Sequence, residues 1–561
     1  MYSLRCTLII SYKTSALHFL QYNRNAFQRQ PESGRESEES KREKALRDIK
    51  KREKRTERRK ERRGETRLRS SGVLMHLSSL SSRYGIGSMG EPARRFADFL
   101  EKAGQSFWQL LPVCPTGYGD SPYQSFSAHA GNPYFIDLEE LCKDGLLEKE
   151  EYEDTDWMSS EDSVNYGVLY EKRYPILRKA AKRFQESRQE AYESFCRENA
   201  EWLDDYAFFM ALKDVHGGKP WYEWETSLRN REKEALLKAQ EEYEEEITFW
   251  KTLQYLFFHQ WKELRSYANS RGIRIIGDLP IYTALDSVDV WAHPELFQLD
   301  ENGMPQEVSG CPPDGFSAEG QLWGNPLFDW DYMAKDGFAW WIDRIRYLCR
   351  VYDVLRIDHF RGFDSYYAIP YGRTDAREGR WRKGPGIALF SALEEKAGRQ
   401  PVIAEDLGFL TDSVRTLLRE SGFPGMKVLE FAFDRRDKNG REYLPHRYPR
   451  HCVAYTGTHD NDTAVGWMSS ADPQDVAFAS EYLRLSREEG YHWGMMRSLW
   501  ASAADLTIVQ AQDLLGLGSE ARMNTPSTLG NNWKWRAREG SFSDELAARL
   551  RHEMEIYERK I

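Results

Sequence analysis

Asp358, Glu405 and Asp460 each stand at or just past the end of a short apolar run: Val354-Leu355-Arg356-Ile357, Val402-Ile403-Ala404 and Cys452–Gly457. Runs this short, apolar and rich in β-branched residues read as strands buried on both faces. An acid just past such a run sits at the strand's C-terminal end. In a (β/α)₈ barrel that end is the rim where the βα loops converge and chemistry is done. Two acids flanking one bond, with a third offsetting positive charge, are the equipment for breaking a glycosidic bond. Blander readings stand beside this one. Arg356 and Asp358 share a strand face and by themselves read as an ordinary salt bridge. His359 and His459, each beside an acid, raise the alternative of a divalent metal in an amidohydrolase-like barrel. That chemistry wants a His-x-His pair at the end of the first strand, where this chain offers only His76 followed by Leu77 and Ser78. No metal and no cofactor are therefore expected.

The elements that must hold these residues alternate along the chain. Strand-like runs fall at Gly72–Leu77, Phe107–Val113 and Ile273–Pro280, the last closing on a further acid, Asp278. The Asp358 and Glu405 runs are fourth and fifth; Lys427–Phe433, Cys452–Gly457 and Leu506–Leu515 complete eight. An amphipathic helix, Pro92–Ala103, joins the first two. Eight such runs with helices between them predict an α/β fold, a parallel (β/α)₈ TIM barrel. The spacing is uneven. Much of 138–268 is charged and helical in period, which predicts an inserted helical subdomain, and 282–338, rich in Pro, Gly and aromatics, predicts a loop-dominated cover over the barrel mouth. About 45 residues follow Leu515, too few for a C-terminal β-sandwich of ~100 residues.

Charge divides the chain. Of its 79 basic and 89 acidic residues, 20 and 10 fall within Met1–Arg67, which leaves 59 and 79 for the remainder. From Lys41 to Arg63 only Ala45, Leu46 and Ile49 are apolar, so 1–67 is expected to be a disordered charged extension and the catalytic body to span 68–561. A transit peptide, a basic arm for nucleic acid and an upstream extension of the reading frame with no role are three readings of that extension. The last is the expectation. Seven scattered cysteines, odd in number and never spaced Cys-x-x-Cys, predict reduced thiols in a cytoplasmic protein. No run approaches the ~18 apolar residues of a membrane helix.

Seven stretches, in order over nearly 500 residues, carry a resemblance: Pro115–Leu138 ("PTGYGDSPYQSFSAHAGNPYFIDL"), Gly277–Tyr282, Pro312–Trp330, Leu355–Phe363, Ile403–Gly408, Thr456–Thr463 and Ala521–Thr528. From about Arg69 onward the chain resembles the amylomaltase (disproportionating enzyme) family of 4-α-glucanotransferases, glycoside hydrolase family 77 in the α-amylase clan. Ser81 stands where a proline is usual in that family and Ser527 where a glycine is usual.

The resemblance implies roles. Asp358 is the nucleophile, kept ionised by Arg356; Glu405 is the general acid and base; Asp460 binds ring hydroxyls and offsets the oxocarbenium charge. His359 and His459 donate to the same sugar. Asp278 organises Arg356, or is purely structural. Tyr123 stacks beneath the transferred sugar. Gln321, Trp323 and Asn325 line the glucan cleft, with Ser121 and Asn524 as further polar contacts and Tyr118 as part of a secondary glucan contact. Trp323 as an anchor for its own loop is the alternative. The implied partners are maltooligosaccharides and α-1,4-glucans as donor and acceptor, with no nucleic acid, membrane or obligate protein partner. A hydrolase of the same clan, passing the glucosyl group to water, uses the same three acids. The aromatic-rich cover favours a sugar acceptor by binding it and excluding water. A glucan-binding barrel without activity is the non-enzyme alternative, and the presence of all three acids speaks against it.

Overall fold

The computed structural model describes residues 69–559 apart from 118, 159, 188–189, 314–316, 409 and 438; the extension expected at 1–67 lies outside the described residues. Twelve strands are present among the described residues. In chain order they are β1 (Ser70–Leu74), β2 (Phe107–Gln109), β3 (Arg274–Leu279), β4 (Glu307–Cys311), β5 (Gln321–Pro326), β6 (Val354–Ile357), β7 (Ser365–Pro370), β8 (Arg380–Lys383), β9 (Val402–Ala404), β10 (Gly425–Val428), β11 (Cys452–Tyr455) and β12 (Leu506–Gln510).

Eight of them form one parallel sheet in the order β10-β11-β12-β1-β2-β3-β6-β9. Its two ends meet. Ala404 N–H donates to the Pro424 carbonyl at 2.9 Å and Met426 N–H to the Asp406 carboxylate at 2.6 Å, so the sheet curls into the (β/α)₈ barrel. The strands are almost wholly buried, as short apolar runs covered on both faces must be. Helix Glu91–Lys102 shows how the cover is built: Ala93, Phe96, Ala97 and Leu100 share one face and are buried against the barrel.

Six of the eight runs extend further in sequence than they do as strands, β3 and β11 by one and two residues at their C-terminal ends and the other four by more. β1 stops at Leu74, β2 at Gln109 and β10 at Val428, while Leu506–Leu515 is strand only to Gln510 before a helix, Ala511–Leu514. After β10 the residues Glu430–Phe433 turn as a 3₁₀ helix. The apolar pattern continues because these residues are still buried. The backbone leaves the ladder because it must turn outward over the rim.

Between β2 and β3 lie seven helices among the described residues, from Leu138–Lys143 to the 27-residue helix Glu244–Ser270. The long helix packs on Ala200–Val215 and Tyr166–Glu186 and on β3. It also pins a loop of the site. The Gln254 amide exchanges hydrogen bonds with both backbone groups of Gly131 at 2.8 and 2.9 Å, and Gln260 does the same to Asp137 at 2.7 and 3.2 Å. Each buried amide thus completes the backbone pairing of the 115–138 stretch where no strand is available to do so.

The stretch 282–338, expected to be loop-dominated, carries β4 and β5. With β7 and β8 they form a second, antiparallel sheet in the order β5-β4-β7-β8. Val308, Tyr367, Ile369 and Ala376 give it a small core of its own. No helix among the described residues is long and apolar enough to cross a membrane. Among them, Cys114, Cys142, Cys196, Cys311, Cys349 and Cys452 are free thiols.

Candidate active site

The residues at the C-terminal ends of β3, β6 and β9 meet in one ionic assembly. Arg356 is on β6, and its Nη1 lies 2.7 and 2.6 Å from the two oxygens of Asp278, on the neighbouring strand β3. Its Nη2 lies 3.1 Å from Asp358 Oδ1, two residues on. Both members of the Arg356–Asp278 pair are shut off from solvent, at 4% and 0% side-chain exposure, whereas Asp358 keeps 27%. The partly open carboxylate is the one that faces the cleft. Tyr123 donates its hydroxyl to Asp278 at 2.7 Å, and its ring stacks on His459 with centroids 4.9 Å apart.

Glu405 follows β9 directly. Its Oε2 accepts the backbone N–H of His359 at 2.6 Å and its Oε1 that of Leu407 at 2.9 Å. To present its N–H, His359 adopts a left-handed backbone (φ 49°), a conformation that costs a non-glycine residue energy. Its imidazole Nε2 is buried without a partner. Asp460, nearly half exposed, accepts from Asn524 Nδ2 at 2.6 Å and lies 3.4 Å from His459 Nε2.

Burial pushes both Asp358 and Glu405 above the ordinary carboxylate range, and neighbouring carboxylates add to it; Arg356 opposes the rise at each. The guanidinium contacts Asp358 directly and favours its charged form, while the two backbone N–H groups that Glu405 accepts moderate the rise there. Burial works against the charge of Arg356 itself, but Asp278 and Asp358 hold it firmly protonated. Burial lowers His459 and takes His359 down to about 3, so both imidazoles are neutral. Tyr123, pushed up by burial and by Asp278, stays a neutral donor.

All of these groups except Asp278, which lies behind Arg356, line a cleft of about 370 Å³ together with Ser121, Gln321, Trp323, Asn325 and Asn524. The Trp323 ring meets the His359 ring edge to face, centroids 4.7 Å apart, and its Nε1 donates to Gln321 Oε1 at 3.1 Å. Asn325 is committed inward. Its amide group donates to Thr283 O at 2.9 Å and its carbonyl accepts from Gln124 at 3.2 Å and Ser309 at 3.3 Å. It braces the loop beneath Trp323. Tyr118 lies outside the described residues.

Other cleft residues had no signal strong enough to single them out in the sequence. Gln124 reaches the Trp323 carbonyl at 3.1 Å. Trp533 packs against both Tyr123 and His459, 5.8 and 5.7 Å between centroids. Leu529, 86% exposed, stands at the mouth. Nearby Ser527 has φ 63°, which is why a glycine suits that position. Among the described residues no group of three or more His, Cys, Asp or Glu side chains is arranged to hold a metal ion.

A family model for 4-alpha-glucanotransferase, glycoside hydrolase family 77, matches residues 75–541. The chain belongs to this family. It is 49% identical over 487 residues to the 4-alpha-glucanotransferase of Clostridium butyricum, covering 86% of this chain and all of that one. To that of Thermus thermophilus it is 48% identical over 502 residues, 88% and 99% of the two chains. In structure it is similar to the amylomaltase of Streptococcus agalactiae solved in complex with acarbose, with a TM-score of 0.85 at 42% identity, covering 88% of this chain and all of that one. The amylomaltase of Corynebacterium glutamicum, 20% identical with a TM-score of 0.70 over 86% of this chain and 75% of that one, shares the fold.

Proposed function

We propose that this protein is a 4-α-glucanotransferase that moves α-1,4-glucan segments between maltodextrins by a retaining double displacement. The observation that carries the reading is that Asp358, Glu405 and Asp460, quoted from three separate motifs of the family, line one cleft in a chain matched by that family over most of its length. Asp358, open to the cleft and charged by Arg356, attacks the anomeric carbon of the donor. Glu405, held by two backbone N–H groups, gives its proton to the departing glycosidic oxygen. A glucosyl ester on Asp358 results, and the shortened glucan leaves as an alcohol. The now ionised Glu405 takes the proton of an incoming 4-hydroxyl as that oxygen displaces Asp358, which restores both carboxyls. Asp460, His459 and the unpartnered Nε2 of His359 bind the ring in its flattened transition state, where their interactions count most. Tyr123 stacks beneath the sugar, and Trp323 with Gln321 holds the acceptor and keeps water out.

The partners in this reading are maltooligosaccharides and longer α-1,4-glucans, and the setting is a reducing cytoplasm, in keeping with six free thiols among the described residues. Incubation with maltotriose followed by chromatography tests the proposal. A ladder of longer maltodextrins with free glucose is expected. Glucose and maltose alone would make the protein a hydrolase of the same clan.

A further inference from the structure

Behind the loop that carries His459 and Asp460 lies a group of carboxyls that the proposed chemistry does not use. Glu430, in the turn after β10, is 5% exposed; Asp513, after β12, is fully buried; Asp462 lies half-buried between them. Two of the three are furnished for a charge. Asp513 accepts from Thr456 Oγ1 at 2.5 Å and from Ala464 N–H at 2.7 Å, and Asp462 from Thr463 N–H at 2.8 Å and Ser519 Oγ at 2.7 Å. Glu430 is less so: the Asn461 side chain donates to it, but its Oε1 is buried with no hydrogen-bond partner. Among the described residues no Lys or Arg forms a salt bridge to any of the three. Arg522, the cation that faces Glu430, spends its guanidinium on the carbonyls of Asn524 at 2.8 Å and Asp460 at 2.5 Å. Two buried acids and a half-buried one, with no salt-bridged cation among them, do not all carry charge. The one with a bare oxygen is the one to stay neutral.

Glu430 also touches what matters. Its backbone N–H donates to Thr456 O at 3.3 Å, and Gly457 is packed so closely that a Cβ there would stand 3.2 Å from Glu430 Oε1 and 2.9 Å from the Asn461 Cβ. The Asn461 amide faces Glu430, while its own oxygen accepts Thr458 N–H at 2.9 Å and Thr458 Oγ1 at 3.0 Å. Residues 457–461 are thereby clamped from below, with His459 and Asp460 at the top of the clamp.

We propose that Glu430 is a positioning residue which, as the neutral acid, holds the loop presenting His459 and Asp460. This rests on the transferase reading only for its effect on rate. The protonation state stands apart from it. Burial raises Glu430 well above the usual carboxylate range, Asp513 and Asp462 add to the rise, and Arg522 and the hydrogen bond from Asn461 oppose it. A carboxyl raised in the fold contributes stability that is fully present below its unfolded value and is lost as pH rises through the folded one.

The test uses the full chain, its Glu430→Gln and Glu430→Ala variants, melting temperature from about pH 5 to 9, and maltotriose disproportionation at neutral pH. Glutamine mimics the neutral acid. Glu430→Gln is expected to keep kcat within about threefold, and its melting temperature relative to the parent to climb steadily with pH. Glu430→Ala is expected to lose kcat by about tenfold or more with KM nearly unchanged. Equal pH slopes for the parent and Glu430→Gln would show an ionised carboxylate and overturn the proposal. So would a glutamine variant as impaired as the alanine one, or an alanine variant with full activity. Should Glu430→Ala not fold, the glutamine slope and rate decide alone. Should the parent lack transferase activity, the proposed function falls while the melting slopes still decide the state of Glu430.

Discussion

On the floor of the cleft Asp278, Arg356 and Asp358 belong to strands or stand directly at their ends, and two of the three are sealed from solvent. At the rim Trp323 lies half-buried at the edge of the small antiparallel sheet, and Asn524 and Leu529 stand on the loop that follows Ala521. The floor is over-determined: Asp278 answers to Arg356 and to Tyr123, and Arg356 to Asp278 and Asp358. The rim is more open: Trp323 is only half-buried and Leu529 is 86% exposed. Chemistry needs reacting groups fixed to a fraction of an ångström, which a barrel end supplies, whereas glucans of many lengths must enter and leave past the rim.

If that division is right, damage on the floor destroys rate and damage at the rim redistributes products. The largest effect belongs to Asp358→Asn, which keeps the shape and removes the nucleophile. Turnover should fall by roughly 10⁴-fold or more, with the melting curve little changed, and a stalling fluorinated glucosyl donor given to the parent should label the peptide containing Asp358. A label on Glu405 or Asp460 would overturn the assignment.

Glu405→Gln comes next, with a loss of about 10³-fold on maltotriose. α-Glucosyl fluoride, whose leaving group needs no acid, should still load the enzyme, and azide should release an α-glucosyl azide. The β anomer would mean a single displacement. Asp278→Asn should do what neither of these does and cost stability as well as rate. It removes the sealed partner of the buried Arg356 charge and leaves only the more open Asp358, a loss of up to roughly 3–5 kcal/mol for a broken buried pair. Thermal unfolding beside that of Asp358→Asn checks this, and an unchanged melting temperature would sink the idea of a locked floor.

At the rim, Trp323→Ala should raise KM for the acceptor by only about 2–10-fold, the worth of one aromatic contact, while the ratio of free glucose to longer products shifts toward hydrolysis. Product analysis at several acceptor concentrations measures it. Deletion of 1–67 should change neither melting temperature nor product ratio, since it lies outside the matched 75–541 and is almost wholly charged over Lys41–Arg63. A lower melting temperature in the truncated chain would argue that it contributes to the fold.

The barrel and its three acids were legible in the sequence for one reason. Strands buried on both faces must be short apolar runs, and the residues just past each run come out at the rim, so Asp358, Glu405 and, a few residues further on, Asp460 announced their positions by local pattern. The small antiparallel sheet was not legible. Its outer strands β5 and β8 are partly exposed and mixed in composition, and the sheet is joined in the middle by β4 and β7, where Glu307 lies opposite Pro370 and Gly310 opposite Tyr367, a long-range pairing that no local period reports. Nor did sequence distinguish the contacts that Asn325 makes inward from contacts to a sugar, since an amide serves either purpose equally well. Residue type and order, then, determined which groups are present and on which end of the barrel they stand. Only the tertiary structure decided which of the buried carboxyls is salt-bridged to a cation and which is not. Charge in a protein interior is settled by partners brought from distant parts of the chain, as Arg356 finds Asp278 across two strands and Glu430 finds no partner at all for its buried Oε1.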